Sequence, residues 1–273
     1  MIPFDFDYYK PDTLLEAIDL FQDLSEQGKM PMYYGGGTEI ISMARANSIY
    51  TGAVIDIKGI PECCEFGFSG SNLVIGSAIT LTKIVESGLF PMLGITIGRI
   101  ADHTIQGKIT LGGNLAGTVI YRESVLPLLI SESQVVIAGN YGTRQAPISE
   151  LFDGRMRREP GELIVKLIID STYTNLPFFH RKTTKIDKID YPLVTVVAMK
   201  KDDRILAGFS GLCDHPFRSI EMEDSLNEKG LTREVRIKNA MSHIPAPVQE
   251  DIHGSGNYRR FVLNNILMDV LKM

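Results

Sequence analysis

The chain has 273 residues, of which 44% are hydrophobic and 22% charged, and its formal net charge is −5. These values are ordinary for a soluble globular protein of two or three domains, and the acidic balance argues against a nucleic-acid binder, which usually has a basic surplus. No apolar run approaches the roughly 18 residues of a membrane span, and residues 1–7 lack the basic segment of a signal peptide. We therefore expect a cytoplasmic protein.

The first third of the chain alternates helix and strand patterns. Apolar residues recur at helical spacing over residues 13–26, and Thr13 with Glu16 forms a capping box at the start of this predicted helix. A second helix is predicted over residues 39–46, with Thr38 as its cap. Short strands are predicted at residues 32–34 and 53–57, so this segment reads as a small α/β unit.

The middle of the chain repeats the mixture with more strands. The predicted strands are 73–78, 134–138, 144–148 and 163–169, the second and third forming a hairpin. The predicted helices are 80–86, 89–100 and 123–131. Residues 153–160 are charged and read as a solvated loop, although a basic loop also suits an adenine, a phosphate or a partner subunit.

The last hundred residues have a different character. Strands are predicted from residue 178, at 193–199 and at 204–212, and helices at 232–241 and 255–271. The polar stretch 171–177 reads as a domain boundary. We predict a three-stranded antiparallel sheet packed by helices, without a catalytic cluster.

Metal chemistry in this chain is not indicated by the sequence. The three cysteines, Cys63, Cys64 and Cys213, have no zinc or cluster spacing, and an iron–sulfur cluster normally needs four thiolates. The five histidines are scattered. We therefore predict small apolar cysteines in a reducing compartment and no metal ligands.

Two glycine clusters carry the strongest chemical signal. Gly35-Gly36-Gly37 and Gly112-Gly113 each lie between an apolar run and a helical pattern. A backbone without Cβ atoms can approach an anion, and the positive end of a helix dipole adds to the attraction. Taken alone, each cluster is more often an ordinary tight turn than a nucleotide site. A dinucleotide fingerprint fits badly, because Asn114 stands where the second glycine is required. Two such turns predict one ligand with two phosphates.

The two clusters and their neighbours resemble a known family. The order Tyr34-Gly35-Gly36-Gly37-Thr38-Glu39-Ile40, followed by Thr110-Leu111-Gly112-Gly113-Asn114, is similar to the flavin-binding subunit of molybdenum hydroxylases, of which xanthine dehydrogenase and carbon monoxide dehydrogenase are examples. The resemblance continues at residues 4–17, 54–57, 73–80 and 253–260. It therefore covers nearly the whole chain in the family order.

The resemblance implies a fold and a domain division. The expected fold is α+β, with a two-subdomain FAD-binding unit of the vanillyl-alcohol-oxidase/PCMH type followed by a small C-terminal domain. The FAD-binding domain is expected at residues 1–171, with subdomains of about 1–57 and 58–171. The C-terminal flavoprotein domain is expected at residues 172–273.

The resemblance also implies which residues bind the cofactor. The motif residues expected to hold FAD are Tyr34, Gly35, Gly36, Gly37, Thr38, Glu39, Ile40, Thr110, Leu111, Gly112, Gly113 and Asn114. The family has an aspartate nine residues after the motif asparagine, and Glu123 stands there in this chain. The family also has a basic residue near the flavin at the start of the C-terminal domain, to which Arg181 or Lys182 corresponds. An ordinary surface charge is an equally good interpretation of these last positions.

The function implied by the resemblance is electron transfer. FAD on this chain takes electrons from a small subunit with [2Fe–2S] clusters, which receives them from a molybdopterin-binding large subunit. It then passes them to NAD or another acceptor, as in a xanthine dehydrogenase-like enzyme of purine catabolism. Two alternatives stay open: a stand-alone flavin reductase of the same fold, and a scaffold subunit with a decayed flavin site. No nucleic-acid partner and no membrane span are expected.

Overall fold

The N-terminal part of the chain forms a three-stranded parallel sheet. The computed structural model describes residues 1–187 and 189–273. The sheet has the order β1-β3-β2. Its strands and their connecting helices are β1 Asp7–Tyr9, α1 Leu14–Glu26, β2 Met32–Tyr34, α2 Thr38–Arg45 and β3 Ala53–Asp56. Because the strands run parallel, their carboxyl ends lie at one edge of the sheet, and Gly35 follows β2 at that edge.

Helix α1 begins at the predicted N-cap, but the return bond of the predicted capping box goes to the residue before the cap. The hydroxyl of Thr13 accepts a hydrogen bond from the Glu16 N–H at 3.2 Å, and the Glu16 carboxylate accepts the N–H of Asp12 at 3.0 Å. Ala17, Ile18 and Leu24 lie buried in one hydrophobic cluster with β3. Local sequence therefore determines where this helix begins, and the apolar face of the helix packs against the sheet.

The middle of the chain forms a five-stranded antiparallel sheet with the order β4-β5-β10-β6-β7. Its strands are β4 Phe66–Ser69, β5 Asn72–Gly76, β6 Gln134–Gly139, β7 Gly142–Pro147 and β10 Leu163–Asp170, and a separate hairpin is formed by β8 Phe152–Asp153 and β9 Arg155–Met156. The predicted β6–β7 hairpin and the predicted strand β10 are confirmed. The charged segment that was predicted to be a loop contains the short strand β9.

Short helices cover this second sheet. They are α3 Pro61–Cys64, α4 Leu81–Ser87, α5 Pro91–Ile97, α6 His103–Gln106, α7 Leu111–Ala116, α8 Val125–Ile130 and α9 Ile148–Leu151. Helix α5 is shorter than predicted, because Pro91 occupies its first position, where a missing N–H is tolerated. The apolar faces of these helices and of the sheet meet in one large buried cluster.

The C-terminal part of the chain forms a four-stranded antiparallel sheet, not the three-stranded sheet predicted. Its elements are β11 Phe178–Thr184, β12 Pro192–Lys201, β13 Arg204–Ser210, β14 Phe217–Arg218, α10 Ile220–Asn227, α11 Arg233–Ser242 and α12 Gly256–Val270. The fourth strand has two residues and pairs only with β13, so it leaves no alternating pattern in the sequence. Helix α10 was also not predicted.

Strand β12 joins the C-terminal sheet to the rest of the molecule. Val197 and Met199 belong to the cluster under the second sheet, whereas Val194, Val196 and Ala198 belong to the cluster under α12. Successive side chains of a strand point to opposite faces, so one strand serves both cores. The C-terminal sheet is thus packed on both faces.

Candidate functional site

The first glycine cluster forms the turn between β2 and α2. Gly37 is the N-cap of α2 and has the left-handed φ of +70°, and a Cβ atom there would lie 2.1 Å from the Tyr34 ring. Glycine is therefore required for both conformation and space. Thr38 was predicted to cap this helix, but it occupies the first helical position, and the cap makes no side-chain hydrogen bond.

A row of backbone N–H groups is free at this turn. Among residues 1–187 and 189–273, no hydrogen-bond partner is found for the N–H groups from Gly36 to Ile40. The next amide, of Ile41, donates to the carbonyl of Gly37 at 2.8 Å. Unpartnered N–H groups at a helix N-terminus attract an anion, and the positive end of the helix dipole lies there as well. The turn fits a phosphate group of a bound cofactor.

A lysine and a carboxylate support this turn from the neighbouring strand. The Lys58 Nζ donates to the carbonyl of Gly35 at 2.6 Å, pairs with the Asp56 carboxylate at 2.8 Å and lies 4.7 Å from the centre of the Tyr34 ring. Asp56 also accepts the Tyr8 hydroxyl. The sequence analysis did not single out these residues, although the shared edge of parallel strands was an available signal: Asp56 ends β3 beside the glycine turn.

The electrostatics of this support are consistent with an ionised Asp56. Burial raises the pKa of Asp56, but hydrogen bonds from Lys58 and Tyr8 outweigh burial, and the pKa lies below its usual value. The hydrogen bond to Asp56 raises the pKa of Tyr8 to about 12, so Tyr8 remains a donor at neutral pH. A negative charge thus neutralises Lys58 beneath the turn, while the N–H groups above it stay available.

The second glycine cluster has a different local structure from the one predicted. Gly112 and Gly113 lie inside the first turn of α7, not in a turn before it. Thr110 is the N-cap, and its hydroxyl accepts the Gly113 N–H at 3.2 Å. The N–H groups of Leu111 and Gly112 donate to the carbonyls of Ile79 and Ser77, each at 2.9 Å. The helix start therefore has no row of free N–H groups.

Glycine is needed in the second cluster for packing. A Cβ on Gly112 would lie 2.5 Å from the Cβ of Ser77, so the α7 backbone packs directly on the segment after β5. Gly113 is exposed, and its added Cβ would meet only the Thr110 hydroxyl, at 2.9 Å. Gly112 therefore fixes the position of the helix, and Gly113 leaves an open surface.

The two clusters meet in the tertiary structure. A Cβ on Gly36 would lie 1.5 Å from the Lys108 carbonyl oxygen, and one on Gly35 would lie 2.5 Å from the Thr110 hydroxyl. The Glu39 carboxylate accepts both the N–H and the hydroxyl of Thr118, at 2.8 and 3.0 Å. We call residues 35–40 together with 108–118 the motif junction.

Asn114 and the residues after it complete the motif junction. The Asn114 side-chain oxygen accepts the Ser124 hydroxyl at 2.5 Å. Arg122 is buried and donates to the Gly117 carbonyl at 3.1 Å and also to the Gly154 carbonyl. Burial lowers the pKa of Arg122, and nearby Arg155 lowers it further. These contacts hold the segment after α7 in one conformation.

Glu123 and Lys182, both predicted to contact the cofactor, form a buried ion pair between the segment before α8 and strand β11. Their side chains are 3% and 2% exposed, and the Lys182 Nζ lies 2.7 Å from the Glu123 carboxylate. Glu123 also accepts the Thr195 hydroxyl at 2.5 Å, and Lys182 donates to the Arg99 carbonyl at 2.8 Å. Burial raises the pKa of Glu123 although Lys182 opposes this. These two side chains join the C-terminal sheet to the segments that follow α5 and precede α8.

Arg181 points to the opposite face of β11. It forms an ion pair with Asp269 of α12 at 2.8 Å, and its side chain is 50% exposed. Adjacent strand residues face opposite sides, so Arg181 and Lys182 cannot both face the motif junction. This geometry is that of a surface ion pair, and a contact of Arg181 with the cofactor stays a prediction.

Two stacked tyrosines, one of them three residues after the end of the motif junction in the chain, were not predicted. Tyr121 is buried, Tyr191 is half exposed, and their ring centres are 4.9 Å apart with an angle of 28° between the planes. Tyr121 belongs to the segment after α7, whereas Tyr191 precedes β12. No local sequence signal pairs residues so far apart in the chain.

Other features of the described chain are less suited to a charged ligand. The apolar hollow lined by Phe21, Met30 and Tyr50 has a volume of about 580 Å³ and lies at the amino end of β2, away from the glycine turns. Within residues 1–187 and 189–273, no group of three or more His, Cys, Asp or Glu side chains could hold a metal ion. Over the same ranges, no helix is long and apolar enough to cross a membrane.

Comparison with known proteins gives consistent matches. The family model described as the FAD binding domain in molybdopterin dehydrogenase matches residues 4–170. The glyceraldehyde dehydrogenase medium chain of Sulfolobus acidocaldarius is 22% identical over 290 residues, covering 100% of this chain and 99% of the relative. The nicotinate dehydrogenase FAD-subunit of Eubacterium barkeri is 26% identical over 175 residues, covering 61% and 58%.

A solved structure shares the fold across nearly the whole chain. Carbon monoxide dehydrogenase from Hydrogenophaga pseudoflava, in a form lacking the Mo-pyranopterin moiety of the molybdenum cofactor, superposes with a TM-score of 0.87 and 22% identity. The match covers 98% of this chain and 96% of that chain. The PCMH-type fold expected from the sequence is confirmed.

Proposed function

The chain belongs to the family of FAD binding domains in molybdopterin dehydrogenases, and from this premise we propose that it is the FAD-binding, electron-transferring subunit of a molybdenum hydroxylase. The observation that carries the proposal is the row of unpartnered N–H groups from Gly36 to Ile40, at the positive end of α2. A pyrophosphate would satisfy these donors, which otherwise have no partner in the described chain.

We propose a division of roles between the two motifs. Residues Tyr34 to Ile40 hold phosphate through backbone N–H groups, with Lys58 and Asp56 fixing the turn from below. Residues Thr110 to Asn114 provide a close, side-chain-free surface at Gly113 for the rest of the cofactor. Glu123 and Lys182 hold the two parts of the chain together instead of contacting the cofactor, and Arg181 forms a surface ion pair within the C-terminal domain. FAD, when bound, supplies the ability to accept and pass on electrons, and the chain itself binds and orients it.

The proposed domain division follows the expected boundaries. The FAD-binding domain comprises residues 1–171, with subdomains of about 1–57 and 58–171, and residues 172–273 form the C-terminal domain. The first two sheets and the C-terminal sheet lie within these limits. The hydrophobic clusters are shared between neighbouring units, so the proposed division rests on the separate sheets and not on separate cores.

The proposed partners are a molybdopterin-binding large subunit and a small subunit with [2Fe–2S] clusters. The molybdenum cofactor of the compared carbon monoxide dehydrogenase supports this assembly. A narrower proposal, that the complex is xanthine dehydrogenase-like and reduces NAD, rests on the sequence resemblance alone. The relatives named above act on glyceraldehyde, nicotinate and carbon monoxide, so an assay of the complex should compare a purine with an aldehyde.

Flavin binding by the purified chain tests the proposal. We expect the full chain to bind FAD with a yellow colour that acid precipitation releases into the supernatant, because no covalent link is indicated. Added purine or aldehyde should leave the flavin of the isolated chain oxidised. A wild-type chain that folds but binds no FAD would favour the scaffold alternative. Bleaching by a purine or aldehyde without partner subunits would contradict the proposal that substrate oxidation takes place on another subunit.

A further inference from the structure

Arg259 is a fully buried arginine in the C-terminal domain. Its exposed fraction is 0%, and it is among the largest fully buried side chains of the described residues. A buried cation is costly unless hydrogen bonds surround it. We therefore expect Arg259 to hold particular backbone segments in place, and its hydrogen-bond partners identify those segments.

The guanidinium of Arg259 donates hydrogen bonds to backbone carbonyls at the start of β12 and just after β13. Its Nη1 donates to the carbonyls of Leu193 at 2.6 Å, Gly211 at 2.7 Å and Pro192 at 3.3 Å. Its Nη2 donates to the Asp251 carboxylate at 2.7 Å. The carbonyls converge because Gly211 has a φ of +80°, and a Cβ there would lie 2.8 Å from the Pro192 and Leu193 oxygens.

The segment that precedes α12 adds further contacts to the same strand start. Asp251 accepts the N–H groups of His253 and Gly254 at 2.8 and 3.2 Å. The His253 ring packs edge-on against the Tyr191 ring, with 6.3 Å between centres. Arg259 and Asp251 thus hold this segment and the beginning of β12 against each other.

The residue just before the clamped carbonyls is Tyr191. Its half-exposed ring stacks on Tyr121, whose carbonyl accepts the Ser210 hydroxyl at 2.7 Å. Tyr121 lies in the segment that runs from the motif junction, where Thr118 is bonded to Glu39. Contacts connect Arg259 to Tyr121, and the three-residue step of the chain from Tyr121 back to Thr118 connects Tyr121 to the motif junction.

We propose that Arg259 is a positioning residue of the flavin site: it holds the start of β12 so that the Tyr191 ring stays stacked on Tyr121 at the margin of the motif junction. This inference rests on the proposed function. Arg259 does not itself reach the cofactor. Only the fork of a guanidinium can serve the three carbonyls and the carboxylate together, since a lysine has a single compact donor group.

The test uses the full-length chain with FAD and measures affinity and the visible circular dichroism of the bound flavin. The variants are Arg259→Met, Arg259→Lys, and Arg260→Met as the matched control, because Arg260 is the exposed neighbour. Loss of one aromatic contact predicts about two- to tenfold weaker binding for Arg259→Met. We expect an altered flavin dichroism in this variant, an intermediate result for Arg259→Lys and wild-type values for Arg260→Met.

A double-variant comparison separates positioning from general damage. If Arg259 acts through Tyr191, Arg259→Met should have no further effect on FAD affinity once Tyr191→Ala is present. Wild-type affinity and dichroism in Arg259→Met would overturn the inference, as would an undiminished effect in the Tyr191→Ala background. If Arg259→Met fails to fold by far-ultraviolet circular dichroism, Arg259→Lys decides by the same criteria.

FAD binding by the wild-type chain separates a failure of the proposed function from a failure of the role proposed for Arg259. A wild-type chain that binds no FAD overturns the proposed function and this inference with it. A wild-type chain that binds FAD, together with unaffected Arg259 variants, overturns this inference alone.

Discussion

The two glycine clusters look alike in sequence and differ in what their backbones offer. At the first, Gly37 caps α2 without a side chain, and the N–H groups from Gly36 to Ile40 have no partner in the described chain. At the second, Thr110, Ile79 and Ser77 accept the N–H groups at the start of α7. Glycine next to a helix start therefore indicates an anion site only where no other part of the protein accepts the first N–H groups of that helix.

The physical difference is one of competition for hydrogen bonds. Helix N-termini leave up to four N–H groups unpaired, and any nearby acceptor takes them because an unpaired buried group is costly. The segment after β5 supplies two such acceptors to α7. At α2 the Lys108 carbonyl packs against Gly36 in a similar way. Among the described residues, however, it accepts no hydrogen bond from the N–H groups of residues 36–40.

Substitution of Gly36 should have the largest effect. In Gly36→Val, the side chain would collide with the Lys108 backbone, since even a Cβ would lie 1.5 Å from that oxygen. Hydrogen bonds to a charged phosphate contribute roughly 1.5–3 kcal/mol each, so loss of two predicts a decrease in FAD affinity on the order of 10²- to 10⁴-fold. Flavin titration would measure this.

A matched control for this prediction is Gly230→Val. Gly230 is exposed and has only the Glu228 carboxylate near its added Cβ, at 3.7 Å. It should bind FAD as the wild type does. Full flavin occupancy in Gly36→Val with a native far-ultraviolet spectrum would mean that the first turn is not the phosphate site.

Substitution of Gly113 should have a smaller effect. Its N–H is already held by the Thr110 hydroxyl, so Gly113→Val removes no donor from a ligand and acts only by filling the open surface. We expect about tenfold weaker FAD binding, equivalent to about one good contact. Ala116→Val, an exposed position one turn later in α7, is the control for helix propensity. An effect as large as that of Gly36→Val would remove the distinction between the two clusters.

The smallest effect concerns pH and the support beneath the first turn. The pKa of Asp56 is lowered in the folded protein. A carboxyl group with a depressed pKa stabilises the fold above its unfolded pKa of about 3.9. That stabilisation is lost as the pH falls through the lower, folded-state pKa. The second cluster has no such carboxylate support among its described contacts, so acid should loosen the first turn selectively.

Chemical denaturation between pH 2 and 6 would measure this dependence. The free energy of unfolding of the wild type should fall more steeply below about pH 4 than that of Asp56→Asn. Asp23→Asn, an exposed substitution on α1, is the control. Identical pH dependences for the wild type and Asp56→Asn would contradict a stabilising role for this carboxylate.

Much of the fold could be predicted from local sequence patterns. The N-cap at Thr13, the strand Met32–Tyr34 and the hairpin of β6 and β7 follow from rules that span a few residues, and the structure agrees with each. The family order of the glycine motifs also agrees with the family match over residues 4–170. The two-residue strand β14 and the polar helix α10 were not predicted, because neither has a periodic apolar pattern.

The positions of glycines, caps and apolar faces follow from local sequence, since these features depend on neighbouring residues and on the conformations that they permit. Which N–H groups remain free is set by the folded chain as a whole, as are the pairing of Glu123 with Lys182 and the hydrogen bonds of Arg259 to backbone carbonyls. Hydrogen-bond satisfaction and burial depend on partners that are distant in the chain. A motif can specify a turn, but the rest of the fold determines whether that turn has donors left for a ligand.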